Sequence, residues 1–579
     1  MSPPPNAGDV SRLHRLIIGL YQLFAPACLA FLLTTTVVCS LYWPLPLHLR
    51  TSAAEGVFHD GHVWAFDQMA RMATGDLEPY LRTSQAGFPK VPEARFIAWA
   101  PALAVVPFRP WFGPLGSYNL AMLGSLGVGA AVAALWIRRV TGVSGLAAGV
   151  LGSLFGLSPF ALGCLASGQT CKAQIWILPA SLLLLLELLE GARATTRLLA
   201  GLGFVVVVGL GGVTEPTHVL LLPFMLVVQG ASSVLGPSVP WRQRLLRLVL
   251  ALLAAAAAAL VLRPVSWYYN LEMAFSIFRP ADRPVEVGTF LRTLAQPRYF
   301  WSPPSSWEDP RVDTIHVAWL GRVLLVAGIV GLLRRARGRA LGLGLVVIGM
   351  GLALGEVLYV NNQPYTYEGA RLRLPAWWLA QEGYPLARSA QYYRAVVVAS
   401  LGLPLLIAAG LSRFSRGLGA VLALVISAAA VTEVVWETRE LWPRPSAPVP
   451  GLSLMAQLAA DPEPGGVLEV PVEADFLTGQ RAMLSAAFHR RPTSAMPRIV
   501  RMQDIASVRG LDEVLRLLPG LGRDEARARL HRIGFRYVVW RAGPAGNSVS
   551  PQTLVPVLGS PELSDGIRYW VIDDPTPDG

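Results

Sequence analysis

His59, Asp60, His62 and Asp67 fall within nine residues of one another in GVFHDGHVWAFDQMARMATGD, residues 56–76. A carboxylate in such company has two chemical uses. It can take a proton from an attacking hydroxyl, or it can help hold a divalent cation such as Mg or Mn against phosphate oxygens. Asp60 is the residue to single out, and its ordinary use competes with both. An Asp just ahead of a helix starting near Val63 would satisfy orphan backbone N–H groups as an N-cap. Spacing alone leaves capping and chemistry open. His59 and His62, three apart, can share one side of a helical turn as neighbouring substrate-binding groups. A zinc site needs more ligands than the sequence identifies. Asp67 and Asp76 read as solvated or capping residues, and a short helix is expected over 64–72.

Composition says where this stretch must sit. The chain of 579 residues is 53% hydrophobic and 15% charged, with a mean hydropathy of +0.46. Soluble domains carry about a quarter charged residues, so this is a membrane-protein balance. Apolar windows suggest eleven spans near 17–42, 115–137, 143–160, 173–191, 198–213, 217–236, 246–263, 315–333, 340–358, 394–412 and 417–436. The first follows Arg12, His14 and Arg15 and lacks a small-x-small cleavage site, so it reads as a retained signal anchor. RFIAWAPALAVVPF is too short and too proline-bounded to span and reads as interfacial or re-entrant.

Charge orients the spans. Arg12, Arg15 and the turns at 138–139, 193–197, 242–247, 334–339 and 413–416 place fifteen arginines on one side against only Asp9 and Glu190. That asymmetry accounts for the net charge of +12 and is the positive-inside bias, so no nucleic-acid partner is implied. The N-terminus is then cytoplasmic. The long segments 43–114, 264–314 and 359–393, with everything after Trp436, lie outside. Four cysteines show no ligand spacing; Cys164 and Cys171 flank one short outer turn and could pair.

The outer segments mix Arg, Trp, Tyr and acids beyond what an interfacial aromatic belt needs. Arginine forks suit phosphate oxygens, which makes Arg279, Arg283, Arg371 and Arg388 candidate phosphate contacts, with ion pairing inside the loops as their ordinary use. Glu215, in GGVTEPTH at the outer end of a span, is a suspect because a carboxylate in that setting is costly. After a proline-rich linker over 437–450, residues 451–579 read as a small outer α/β domain. Its strands are GGVLEVPVE, FRYVVW and IRYWVID, and its helices LDEVLRLLPGL and DEARARLHRI. No P-loop, dinucleotide fingerprint, nucleophile elbow or HExxH is present. Chemistry here must draw on an activated, membrane-borne substrate.

Nearly the whole chain resembles, in layout, the GT-C superfamily of multi-span glycosyltransferases that use polyprenyl-phosphate sugars, with residues 1–436 as the GT-C-like membrane domain. The pieces that carry the resemblance are HDGHVWAFDQMA, SPFALGCLASGQTCKAQIWILPASLLLL, VAWLGRVLLVAGIVGLLRR and ARSAQYYRAVVV, with LHRIGFRYVVW in the C-terminal domain. Ser167, Gly168 and Gln169 stand where members often show a Gly-His-Asn-type turn. The resemblance implies an all-α polytopic fold with a small C-terminal α/β extracytoplasmic domain, in a bacterial inner membrane. It implies transfer of a hexosyl or pentosyl group from a polyprenyl-phosphate donor to an extracytoplasmic glycan or lipid acceptor in cell-envelope polysaccharide synthesis. Asp60 would be acceptor-activating base or metal ligand, acting with an acid from 264–314. The rival reading is a non-catalytic protein that binds or translocates lipid-linked glycans. It should show ionisable pairs deep in the spans, whereas Glu187, Glu215, Arg322 and Glu356 lie at span edges. A degenerate assembly factor is a third reading.

Overall fold

The computed structural model describes residues 7–55, 59–76, 98–235, 239–269, 296–302, 308–309, 314–315, 318–361, 363–381, 392–470, 476–494, 517–541, 550–564 and 567–572. Two compact units emerge. Unit one is Met1–Leu41 with Met122–Pro443; unit two is Tyr42–Ala121 with Arg444–Gly579. The long segment that follows the first helix therefore groups with the C-terminal segment.

Unit one is a helical bundle. Its centre is the helix Val396–Leu411, apolar on every side and buried along its whole length, as an all-round hydrophobic helix must be. Gly331 and Gly349 let neighbouring helices reach its backbone. A Cβ at either would stand 2.4 Å from the Leu406 carbonyl oxygen or the Ala399 nitrogen. Each of the eleven expected stretches contains a helix, but the count of eleven spans is not reached. Seven described helices are long and apolar enough to cross a membrane, or eight if the 47° bent pair Gly145–Gly156 and Pro159–Ala166 is one span. Ile177–Glu190, Arg322–Leu332 and Arg339–Ala353 have 14, 11 and 15 residues. At 1.5 Å per residue they reach roughly 16–23 Å, short of a hydrocarbon core of about 30 Å. The described part of the piece expected to be interfacial forms the helix Trp99–Val105 and a 3-10 turn, Val106–Phe108, that runs on into the helix Arg109–Thr141.

Unit two is built on a four-stranded sheet in the order Glu562–Ser564, Ile567–Val571, Phe535–Trp540, Gly466–Val470. The last pair is parallel and the others antiparallel. Alternation along Phe535–Trp540 sends Val538 to one face with Leu530, Leu554 and Trp570, and Tyr537 and Val539 to the other with Leu454 and Met455. The expected DEARARLHRI helix is Arg523–Ile533, with Asp524 and Glu525 in its first turn and Gly534 at φ 103° ending it. The proline-rich linker contributes structure too: Ser446–Pro448 pairs antiparallel with Ser52–Ala54. Backbone bonds from Glu55 to Pro445 (2.8 Å) and Val449 to Thr51 (2.9 Å) extend that pairing.

Candidate active site

The Ser52–Ala54 strand delivers the chain to a helix, His59–Thr74, longer than the 64–72 expected. Asp60 is thus inside its first turn, where a negative charge suits the helix dipole, and is not the N-cap of a helix starting near Val63. Every residue from Gly61 to Ala70 is buried, and the helix packs against Phe476–His489 within the same unit. His59 and His62 are both interior. His59 Nδ1 lies 2.6 Å from the Tyr118 hydroxyl, with the rings edge to face. Burial, then His62 and Arg444, push the His59 imidazole down to about 3, so it is neutral at physiological pH.

Asp67 corrects an expectation. It is not solvated: its side chain is fully buried and ion-paired with Arg109. Burial raises its carboxyl while Arg109 and Arg71 oppose the rise. Asp76 is exposed and accepts from Thr74 Oγ1 at 3.0 Å, consistent with a solvated turn residue.

Asp60 itself is half-buried. Burial drives its carboxyl up to about 6, against the pull of Arg481 and Arg541. Among the described residues no hydrogen bond reaches its carboxylate. The two arginines come from the C-terminal segment. Arg481 is exposed on the helix Phe476–His489. Arg541 follows the strand Phe535–Trp540 and is fixed by buried Glu469 (Nε to Oε2, 2.9 Å) and the Ser485 hydroxyl (2.6 Å). His489, on the same helix, is buried and held down to about 3 by burial and then by Arg541 and Arg491. None of Arg481, Arg541, Glu469 or His489 was marked by sequence reasoning. The pairing needs contacts across more than four hundred residues of chain, and no local spacing signals it.

A divalent metal is expected here, and the acids of 264–314 read as partners of Asp60 lie, apart from Glu308 and Asp309, outside the described residues. No three His, Cys, Asp or Glu come together to hold one among the described residues. The cations around Asp60 would also repel it. The arrangement suits proton transfer: a desolvated carboxylate with a value near 6 is close to the optimum for a general base at neutral pH.

The predicted phosphate contacts fare differently. Arg279, Arg283 and Arg388 lie outside the described residues. Arg371 is exposed in unit one, on the hairpin Thr366–Tyr367/Ala370–Arg371, whose turn residues Glu368 and Gly369 both take positive φ (50° and 77°).

Unit one also holds a buried polar cluster that gathers three of the stretches singled out in the sequence. Glu215 caps the helix Pro216–Val234, accepting from the Thr217 N–H at 3.1 Å. Arg394 donates to the Thr217 hydroxyl at 2.9 Å. His218 Nε2 lies 2.9 Å from the Lys172 carbonyl, and Lys172 Nζ donates to Gln169. Arg394 Nε and Gln169 Nε2 are buried donors without a partner among the described residues. Two cations against one carboxylate, with spare donors, make an anion-binding environment. Cys164 and Cys171 are both buried free thiols, so the disulfide considered between them is not formed.

No protein-family model and no curated protein sequence matches the chain. Solved structures do. The arabinofuranosyltransferase AftD from Mycobacteria matches 95% of the chain at 17% identity and a TM-score of 0.52. The chain spans 40% of that protein's length. The oligosaccharyltransferase AglB from Archaeoglobus fulgidus, in complex with an inhibitory peptide and a dolichol-phosphate, matches 89% of the chain and 69% of its own at 12% identity, TM-score 0.45. ArnT from Cupriavidus metallidurans, bound to undecaprenyl phosphate, matches 94% of the chain and 98% of its own at 12% identity, TM-score 0.45. On the AftD match, the chain has the fold of the GT-C membrane glycosyltransferases.

Proposed function

We propose that the chain is a membrane glycosyltransferase that moves a sugar from a polyprenyl-phosphate donor to an extracytoplasmic glycan or lipid acceptor, with Asp60 as general base. The observation that carries this reading is the half-buried Asp60 carboxylate, unbonded among the described residues and raised to about 6 by burial beside Arg481 and Arg541. In the step proposed, an acceptor hydroxyl gives its proton to Asp60 as its oxygen bonds to the anomeric carbon. The bond from that carbon to the phosphate oxygen breaks, and its electron pair leaves with the polyprenyl phosphate. His59 and His62, being interior and in part tied to Tyr118, are proposed to fix the first turn that presents Asp60. Lys172 and Arg394 offer unit one an anion site that a donor phosphate suits, and Arg371 remains a candidate phosphate contact. The fold shared with AftD supports glycosyl transfer, pentosyl transfer included.

Described ion pairs of unit one lie within about two helical turns of a helix end, as with Arg139 and Glu187 (2.5 Å) or Arg322 and Glu433 (3.1 Å). That placement favours chemistry at a face over transport through the middle. The arginine bias supports a cytoplasmic N-terminus in a bacterial inner membrane, so a reporter fused after Trp436 is expected to be active outside; cytoplasmic activity there overturns this orientation.

The decisive comparison is wild type with Asp60→Asn and Asp60→Ala in a deletion strain, read as accumulated lipid-linked sugar and membrane yield. Losing a general base costs on the order of 10²–10⁴-fold in rate. Both variants are expected to insert normally and to leave the donor unconsumed. An Asn variant that restores wild-type turnover ends the case for Asp60.

A further inference from the structure

The end of unit one that carries the arginine-rich turns holds a cavity of about 860 Å³, separate from the Lys172–Arg394 cluster. Its rim is charged. Glu190, at the end of the helix Ile177–Glu190, is met by Arg337 at 3.0 Å, Arg247 at 3.7 Å and Arg139 at 3.9 Å. Arg139 also takes Glu187, so three guanidinium groups face two carboxylates and one positive charge is left over. Arg247, Arg337 and Glu190 line the cavity, so the lining keeps one net positive charge. Arg247 is further tied to the Ser233 carbonyl at 2.6 Å. Arg337 keeps a side chain 59% exposed, with Glu190 as its one partner among the described residues.

Much of the remaining wall is apolar, with Leu186, Val227, Val228, Leu235 and Leu341 beside Gln229, Ser232 and Ser233. Val227 and Leu235 are 70% and 71% exposed, so that wall runs out onto the open apolar surface of the helix Pro216–Val234 and its C-terminal end. Tying helix ends together would explain the Glu190 ion pairs. It does not require an open cavity with a cationic rim and a wall continuous with the lipid-facing surface. Those two features together match a molecule with an anionic head and apolar chains. Guanidinium forks fit phosphate oxygens, and basic pockets between transmembrane helices take anionic headgroups.

We propose that this cavity is a binding site for an anionic phospholipid, with the headgroup phosphate on Arg247 and Arg337 and an acyl chain along Val227, Val228 and Leu235. A free phosphate ester shares the headgroup chemistry but not the wall, which separates the two sources.

Native mass spectrometry of the full-length protein in neutral detergent tests it, with phosphatidylglycerol, phosphatidylcholine or inorganic phosphate added. Phosphatidylglycerol is expected to be retained over phosphatidylcholine, and inorganic phosphate in millimolar excess is expected not to displace it. Arg247→Gln with Arg337→Gln should weaken retention by about fivefold for each arginine removed. Arg247→Lys should keep most of the preference. Arg337→Glu, at a side chain 59% exposed, should abolish it alone, with thermal unfolding in detergent checked alongside. Equal retention of phosphatidylcholine, displacement by inorganic phosphate, or an unchanged preference in Arg337→Glu overturns the proposal.

Discussion

Asp60 and Glu215 are both carboxylates at the start of a helix, one in each unit, and their surroundings diverge. Glu215 is 4% exposed, accepts from the Thr217 N–H, and sits with Lys172, His218 and Arg394 around it. Asp60 is half-buried and unbonded among the described residues; around both carboxylates the neighbouring cations act through space. A buried carboxylate that accepts a backbone N–H beside cations is held in one protonation state. One that is desolvated without being bonded sits near the middle of the working pH range and can exchange a proton. The difference in proposed role would follow from bonding rather than from residue type or helix position.

Breaking the Glu215 side should give the largest effect on stability. Arg394→Met leaves a buried carboxylate short of a partner and the Thr217 hydroxyl without its donor. A loss of about 3–5 kcal/mol is expected, read as thermal unfolding in detergent. Adding Glu215→Gln removes the orphaned charge and should recover more than half of that loss. A single variant as stable as wild type would mean that the cluster is solvated and that the contrast with Asp60 does not exist.

Asp60 should behave in the opposite sense. Its folded value of about 6 lies above its ordinary 3.8, so folding favours the protonated acid. Stability is then full below about pH 4 and declines as pH rises through 6. Asp60→Asn cannot ionise and escapes that decline. The variant should match wild type near pH 4 and exceed it at pH 7.5 by about 1–3 kcal/mol, the range allowing for partial exposure. A variant that gains stability while losing activity is the signature of a functional group held at a structural cost. An Asn variant less stable than wild type at pH 7.5 would instead make Asp60 a structural residue.

What the sequence showed and what it hid divide along the same physical line. Apolar runs reported helices because burial on all sides needs apolar residues on all sides, as in Val396–Leu411. The strands Gly466–Val470, Phe535–Trp540 and Ile567–Val571 were legible from short β-rich runs, although Glu562–Ser564 was not. Asp60, His59 and His62 stood out because they are close in sequence. The burial of Asp67 did not, because its partner Arg109 is 42 residues away and the charge pattern around it looks solvated. Arg481 and Arg541 are further still. An electrostatic environment assembled by tertiary contact leaves no local trace, so the candidate base was readable and the groups that tune it were not.

Arg481 gives the smallest and most diagnostic effect. It is exposed, so replacing it with Gln should leave folding within about 0.5 kcal/mol of wild type. Its charge nonetheless lowers the Asp60 carboxyl, alongside that of Arg541. Removing it should raise Asp60 further and move the acidic limb of the transfer rate to higher pH. Screening limits an exposed charge, so the shift should be on the order of a few tenths of a pH unit at low salt and should shrink as ionic strength rises. The plateau rate above pH 8 should be unchanged, because Asp60 is fully ionised there in both proteins. The salt dependence separates this from a packing effect, which ions would not screen. A lowered plateau with an unmoved limb would mean that Arg481 touches substrate, and a limb that moves to lower pH would mean that the titrating group is not an acid beside a cation. Either result would sever Asp60 from the arginines of the C-terminal segment and leave the contrast with Glu215 without its electrostatic basis.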